Sequence, residues 1–173
     1  YLDSGVSHHR PPPIRQVYAQ ATIRRLLRTG EPVNMIEVGA WCGFSTVLWA
    51  EAIARFGSRD QIAKSTIHCI DPWDSYFSSI DIDRHEHYRN MDNEARSGAA
   101  FEVFRHNIMV ASREYGVTIT FDKALSRDIL PTIPDKSRNF IYIDGSHYYD
   151  DVKFDITQAT RIVTPNGYIA GDD

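Results

Sequence analysis

Long apolar runs are missing from this sequence: no stretch approaches the roughly 20 residues that a membrane-crossing helix needs. Cysteine is scarce, with only Cys42 and Cys69. Both sit in apolar strand or loop contexts and read as buried free thiols rather than a disulfide framework, which points to a cytosolic (cytoplasmic) location. Neither sign of charge dominates. The formal net charge is -4, so no strong field draws the chain to nucleic acid or to anionic lipid. The opening segment YLDSGVSHHRPPP carries no apolar signal-peptide core, and no internal repeat runs through the chain. What is present is ordinary for a globular protein, with 42% hydrophobic and 24% charged residues. A length of 173 residues suits one domain with a real core better than two. The first residue is Tyr1, and Asp173 directly follows an apolar run, so both ends read as cuts in a longer protein or as limits of an ordered region.

Strand-like and helix-like patterns alternate along the chain, which favours an α/β layer architecture. A first segment, 1–32, is dominated by a helix from Ile14 to Arg28 with Gly30 as its stop. The core, 33–173, opens with a buried strand from Val33 to Val38. A helix follows from Phe44 to Phe56, with Phe44, Leu48, Ala52 and Phe56 on one face, and a second strand covers Thr66 to Asp71. The mixed polar stretch 72–98 holds Asp81, Asp83, His85, Glu86 and His87, and reads as a lid-like insertion or long surface loop with at most a short helix. A helix from Ala99 to Tyr115 follows, lined by Phe101, Phe104, Ile108, Ala111 and Tyr115. Strands are expected at Val117 to Phe121, Asn139 to Asp144 and Tyr168 to Asp172. The helix between the last two carries a stripe of Val152, Ile156, Ala159 and Val163, broken by Pro165, Asn166 and Gly167. Short apolar strands joined by helices imply a doubly wound, mainly parallel sheet.

Two strand ends carry candidate binding chemistry. In EVGAWCGFST, Gly39 and Gly43 permit a tight turn and close approach of a ligand to backbone amides. The helix start at Ser45 and Thr46 offers free N–H groups and a positive dipole end, and Glu37 closes the strand. The segment lacks the third glycine of a dinucleotide fingerprint, and a glycine turn after a strand also arises for steric reasons alone. Asp71 ends the second strand, where a carboxylate can accept both hydroxyls of a ribose or simply cap a turn.

EVGAWCGFST resembles the first motif of class I S-adenosylmethionine-dependent methyltransferases, written E/D-x-G-x-x-x-G-x-S/T, and IDPW resembles the second. FIYIDGSHYYDDVKFDITQATRIVTPNGYIAGDD resembles the later half of a branch of small-molecule and sugar O-methyltransferases, similar to those acting on macrolide and aminocoumarin antibiotics and to relatives of cephalosporin-pathway enzymes. Phe104 and Asn107 fit an F-x-x-N pattern of that branch. The turn PNG departs from the usual PGG, mildly, because Asn tolerates left-handed backbone. The resemblance spans about residues 33 to 173 and implies a Rossmann-like methyltransferase fold. Five of its usual seven strands are present, without the final hairpin, so Tyr168 to Asp172 is expected at an exposed or partner-paired edge. It also implies S-adenosylmethionine held by Glu37, Gly39, Gly43, Ser45 and Asp71, with Ser126 near the adenine.

Asp144, Asp172 and Asp173 end neighbouring strands, where ligands of open parallel sheets bind. Three carboxylates without a basic partner repel unless a cation joins them, and oxygen-only ligands suit Mg²⁺ or Ca²⁺. The resemblance implies a divalent metal, Mg²⁺, on these three acids; solvated strand ends or helix caps are the alternative. His147 suits removal of a hydroxyl proton near neutral pH, or packs as a cap, and the resemblance supports it as the base. HEHYR, at His85 to Arg89, is not HExxH because its second histidine comes too early for one helical face. It reads as a lid or solvated surface more readily than as a zinc site. The expected partner is a small-molecule hydroxyl, with no nucleic acid and no membrane, and homo-oligomer formation is left open. The competing readings are an NAD-dependent oxidoreductase and a non-catalytic S-adenosylmethionine-binding module.

Overall fold

A computed structural model describes residues 13–75 and 77–172 of the chain. Five strands, β1 (Asn34–Val38), β2 (Thr66–Asp71), β3 (Thr118–Lys123), β4 (Arg138–Ile143) and β5 (Val163–Gly171), form one sheet in the order β3-β2-β1-β4-β5. Every pairing is parallel. The eight α-helices of the described residues are α1 (Pro13–Leu27), α2 (Phe44–Phe56), α3 (Arg59–Lys64), α4 (Ser79–Arg84), α5 (Glu86–Ser97), α6 (Ala99–Tyr115), α7 (Ser126–Ile129) and α8 (Tyr149–Ile162), with one 3-10 turn at Leu130–Thr132 after α7. Among the described residues no helix is long and apolar enough to cross a membrane.

Both faces of the sheet are covered, as parallel strands require. On one face Met35, Ile67, Cys69, Phe140 and Tyr142 pack beneath Trp49, Ile53, Phe104 and Ile108. Here α1 lies on α2, and α2 on α6. On the other face Ile36, Val38, Ile70, Ile141 and Ile143 meet Leu130, Ala159 and Ile162. Cys42 and Cys69 are buried free thiols, as their contexts suggested. The doubly wound parallel sheet expected from the sequence is the observed fold, and β5 lies at its edge, paired only with β4 among the described residues.

Several local expectations change. The polar stretch after Phe56 holds α3, whose start is a reciprocal capping box: Ser58 accepts the Gln61 N–H, and Gln61 accepts the Ser58 N–H. The 72–98 segment is mostly helical, with α4 and α5 in place of a long loop. In α2 burial runs nearly all round, including Val47, Trp49, Ala50 and Ile53, because α1, α6 and the sheet all cover it. The stripe on α8 is rotated: Asp155, Ala159 and Ile162 are buried, whereas Ile156 is exposed and Val163 already belongs to β5. An aspartate thus sits where an apolar residue was expected. β5 begins earlier than expected and bulges over Thr164–Gly167, between the pairings of Val163 with Arg138 and Tyr168 with Phe140. Asn166 is not among the residues of positive φ, so the PNG turn makes no demand that asparagine meets poorly.

Phe104 is fully buried and joins Trp73, Phe101 and Phe121 in an aromatic cluster that ties α6 to the sheet. Phe104→Ala should destabilise the chain by about 3–5 kcal/mol through lost contacts and the cavity left behind. Urea unfolding midpoints check this, and a change under about 1 kcal/mol would show that the cluster collapses around the gap.

Candidate active site

A cavity of about 480 Å³ opens at the carboxyl ends of the strands, where open α/β sheets place their ligands. Its floor is the turn between β1 and α2. Gly39 has φ +83°, and a Cβ there would overlap the Asp144 carbonyl, so the turn passes over β4 only because residue 39 is glycine. Gly43, at φ +80°, caps α2 in a left-handed backbone that favours glycine, and a Cβ there would meet the Phe104 ring at 3.0 Å; it shapes the turn from behind and does not line the cavity. Asn107 donates from Nδ2 to the Cys42 carbonyl at 2.9 Å, which gives the F-x-x-N pattern a physical role: α6 holds the glycine turn.

Asp71 lines the cavity and also builds it. Its Oδ2 accepts the Trp41 N–H at 2.9 Å and its Oδ1 accepts the Trp73 N–H at 2.7 Å. The Trp73 indole then donates to the Trp41 carbonyl at 2.7 Å. Both tryptophans have positive φ, 45° and 43°, a strained backbone that this carboxylate holds in place. Burial pushes the Asp71 pKa up, and the backbone N–H groups oppose that shift. The two readings of Asp71, as turn cap and as ligand acceptor, are therefore compatible, since a carboxylate has more than two acceptor sites.

Ser45 lines the cavity, whereas Glu37 lies beneath the turn, fully buried. Its carboxylate accepts from Thr46 at 2.5 Å and from Ser45, while Oε1 has no partner among the described residues. Burial is the main cause that raises its pKa from 4.5 to about 7, and the Ser45 and Thr46 hydroxyls oppose it. On the β3 side, Leu125 and Ser126 form the wall.

On the β4 side stand Asp144 and His147, both lining the cavity. The sequence supplied no basic partner for the strand-end acids; the structure does. Arg15 of α1 forms an ion pair with Asp172 and reaches Asp144 at 3.7 Å. Burial raises the Asp144 pKa, against the pull of Arg15 and His147. Asp173 lies outside the described residues. Among the described residues no group of three His, Cys, Asp or Glu is placed to hold a metal ion. Asp144 and Asp172 have the hard oxygen chemistry for a divalent cation, but the guanidinium already bridges them. In HEHYR, His85 precedes α5, and both histidine rings rest near Tyr88. The 72–98 segment reaches the cavity through Pro72 and Met91, and its Ser78 N–H donates to the Tyr148 hydroxyl at 3.0 Å. Arg15, Trp41 and Trp73 went unread in the sequence. Only Trp73, directly after the IDP strand end, carried a local signal.

A family described as a methyltransferase domain matches residues 36–173. No curated protein matches the chain. Among solved structures, the O-methyltransferase NovP superposes with a TM-score of 0.63 at 20% identity, over 92% of this chain and 64% of that one. An O-methyltransferase from Bacillus cereus in complex with SAH gives 0.59 at 18%, over 98% and 60%. TomG from Streptomyces achromogenes, an O-methyltransferase involved in tomaymycin synthesis and in complex with SAM, gives 0.56 at 15%, over 95% and 57%. The chain thus spans less than two thirds of each of these structures, and at these identities they show the fold alone. The family match leaves the oxidoreductase alternative without support.

Glu37 offers a test of the site's electrostatics. Its folded-state pKa exceeds its ordinary value, so folding favours the protonated form. Stability should fall as pH rises from 4.5 to about 7, by on the order of 3 kcal/mol from this group, and stay level in it above that window. Glu37→Gln should flatten this part of the slope. Urea midpoints at about pH 5 and about pH 8 for both proteins check it, and equal shifts in the two would show that Glu37 is not the titrating group.

Proposed function

Because this chain belongs to the methyltransferase domain family, we propose that it transfers the methyl group of S-adenosylmethionine to a hydroxyl of a small molecule. The observation that carries the reading is one cavity bordered by Gly39, Ser45 and Asp71 on its β1–β2 side and by Asp144 and His147 on its β4 side. A donor whose ribose hydroxyls bind Asp71 runs along the Gly39 turn, with Ser45 and the start of α2 beside its polar end. Its sulfonium methyl then faces the β4 side.

There His147 takes the acceptor's proton as the oxygen attacks the methyl carbon in line with the departing sulfur. The new bond is O–CH₃, the broken one S–CH₃, and S-adenosylhomocysteine leaves. Holding the two reactants in that geometry supplies up to about 7–11 kcal/mol of the barrier reduction in favourable systems. Asp144, Asp172 and Asp173 are the residues that would hold Mg²⁺, in place of the Arg15 guanidinium. Such an ion supplies a lowered hydroxyl pKa and chelation of neighbouring oxygens, which suits a sugar acceptor. O-methylation itself is supported by the resemblance of IDGSHYY to its branch and by the names of the superposing enzymes.

Mass spectrometry of a small-molecule hydroxyl panel, with labelled methyl donor and with Mg²⁺ or EDTA, tests the reading. His147→Ala should lower turnover by about 10²–10⁴ while sparing donor affinity. Asp71→Ala should weaken donor binding by about 1.5–3 kcal/mol. Transfer that persists in EDTA removes the metal and leaves methyl transfer standing; absence of donor binding by calorimetry removes the methyl-transfer reading itself.

A further inference from the structure

His147 is exposed at the cavity, so little packing holds its ring, and its aim depends on the backbone that carries it. A side chain grips that backbone. Ser146 Oγ accepts the Tyr148 N–H at 3.2 Å, so one hydroxyl spans His147 from the residue before it to the residue after it. The same hydroxyl donates to Asp151 Oδ2 at 2.8 Å. Asp151 Oδ1 in turn accepts from the Arg127 guanidinium. The two oxygens of one carboxylate are thus divided, one holding the histidine turn and the other held by α7.

Arg127, Ser146 and Asp151 line the same cavity as His147. Arg127 comes from the segment after β3, whereas Ser146 and Asp151 follow β4, and β2 and β1 lie between those strands in the sheet. The three side chains therefore form a strut along the cavity wall that joins two distant segments at the histidine turn. The Arg127 side chain is 56% exposed, and an ion pair so open to water contributes little to stability. Its consequence is direction, because a base whose geometry is set by a further group meets its proton in a fixed alignment. We propose that Asp151, held by Arg127, is the positioning residue for His147. Through Ser146 it sets the turn from which the imidazole reaches the acceptor hydroxyl, and it takes no part in the proton transfer itself.

This assignment rests on the methyl-transfer reading, and its test reads the histidine directly. Carbon-13 relaxation of the His147 ring is measured in the full chain, with and without S-adenosylhomocysteine, and the signal is assigned by its loss in His147→Ala. Ring order should fall in Asp151→Ala and in Ser146→Ala, and Ser146→Thr, which keeps the hydroxyl, should restore it. Arg127→Gln acts at the exposed end of the strut and serves where the Asp151 variant does not fold. Turnover of an acceptor from the hydroxyl panel should drop roughly 10–100-fold in Asp151→Ala, with donor affinity and the urea midpoint unchanged. In the His147→Ala background the same substitution should cost nothing further, since residues acting as one unit are not additive. Unchanged ring order in Asp151→Ala and Ser146→Ala overturns the assignment, whatever turnover does. A parallel fall in donor affinity and urea midpoint shows a merely structural residue and overturns it too, while methyl transfer stands. Failure of the wild type to bind S-adenosylhomocysteine overturns the methyl-transfer reading, and the assignment with it.

Discussion

Asp71 accepts backbone N–H groups from Trp41 in the turn after β1 and from Trp73 in the segment after β2. The first bond joins the ends of adjacent strands, the second folds the chain after β2 back onto the same carboxylate, and the cavity opens beside the segments they hold. Both tryptophans sit in left-handed backbone, which costs of order 1–3 kcal/mol per residue. The carboxylate, itself buried, offsets that cost with charge-assisted bonds. The Trp73 ring then carries the constraint inward to Phe101, Phe104 and Phe121. A binding turn and a hydrophobic core are therefore one mechanical unit, with Asn107 as its second tie.

Charge on the other side of the cavity follows a different plan. Asp144 and Asp172 stand on neighbouring strands, and their mutual repulsion is relieved by Arg15, from a helix remote in sequence. α1 thereby acts as more than a cover for α2, because it brings the compensating charge to the strand ends. Any other cation entering there competes with a tethered guanidinium at high local concentration.

Much of this was legible in the residues. Strand positions and the parallel order follow from short apolar runs joined by helical periods, and the glycine turn is visible because Gly39 and Gly43 fall directly after an apolar strand. Three features were not legible, each for a physical reason. The inward face of α8 is set by the cavity wall as well as by the core, so Asp155 is buried and Ile156 is not. α3 is six residues long and mostly polar, with Ile62 alone packed on the core, so it rests on its capping box and is too short for apolar periodicity to detect. Arg15 meets Asp144 and Asp172 across most of the chain, and no local pattern encodes a pairing at that separation.

The central place of β1 bears on how the chain reaches this state. β1 pairs with β2 on one side and with β4 on the other, and the N–H of Asn34 donates to the side chain of Asn139, 105 residues away. The Gly39 turn is fitted against the Asp144 carbonyl. Contacts of such high sequence separation carry a loop-closure cost before they return any stability, and they slow folding. A growing chain emerging from the ribosome therefore holds its first binding turn without the floor that shapes it until β4 has been synthesised. The first glycine turn of the chain is thus among the last parts of the site to be completed.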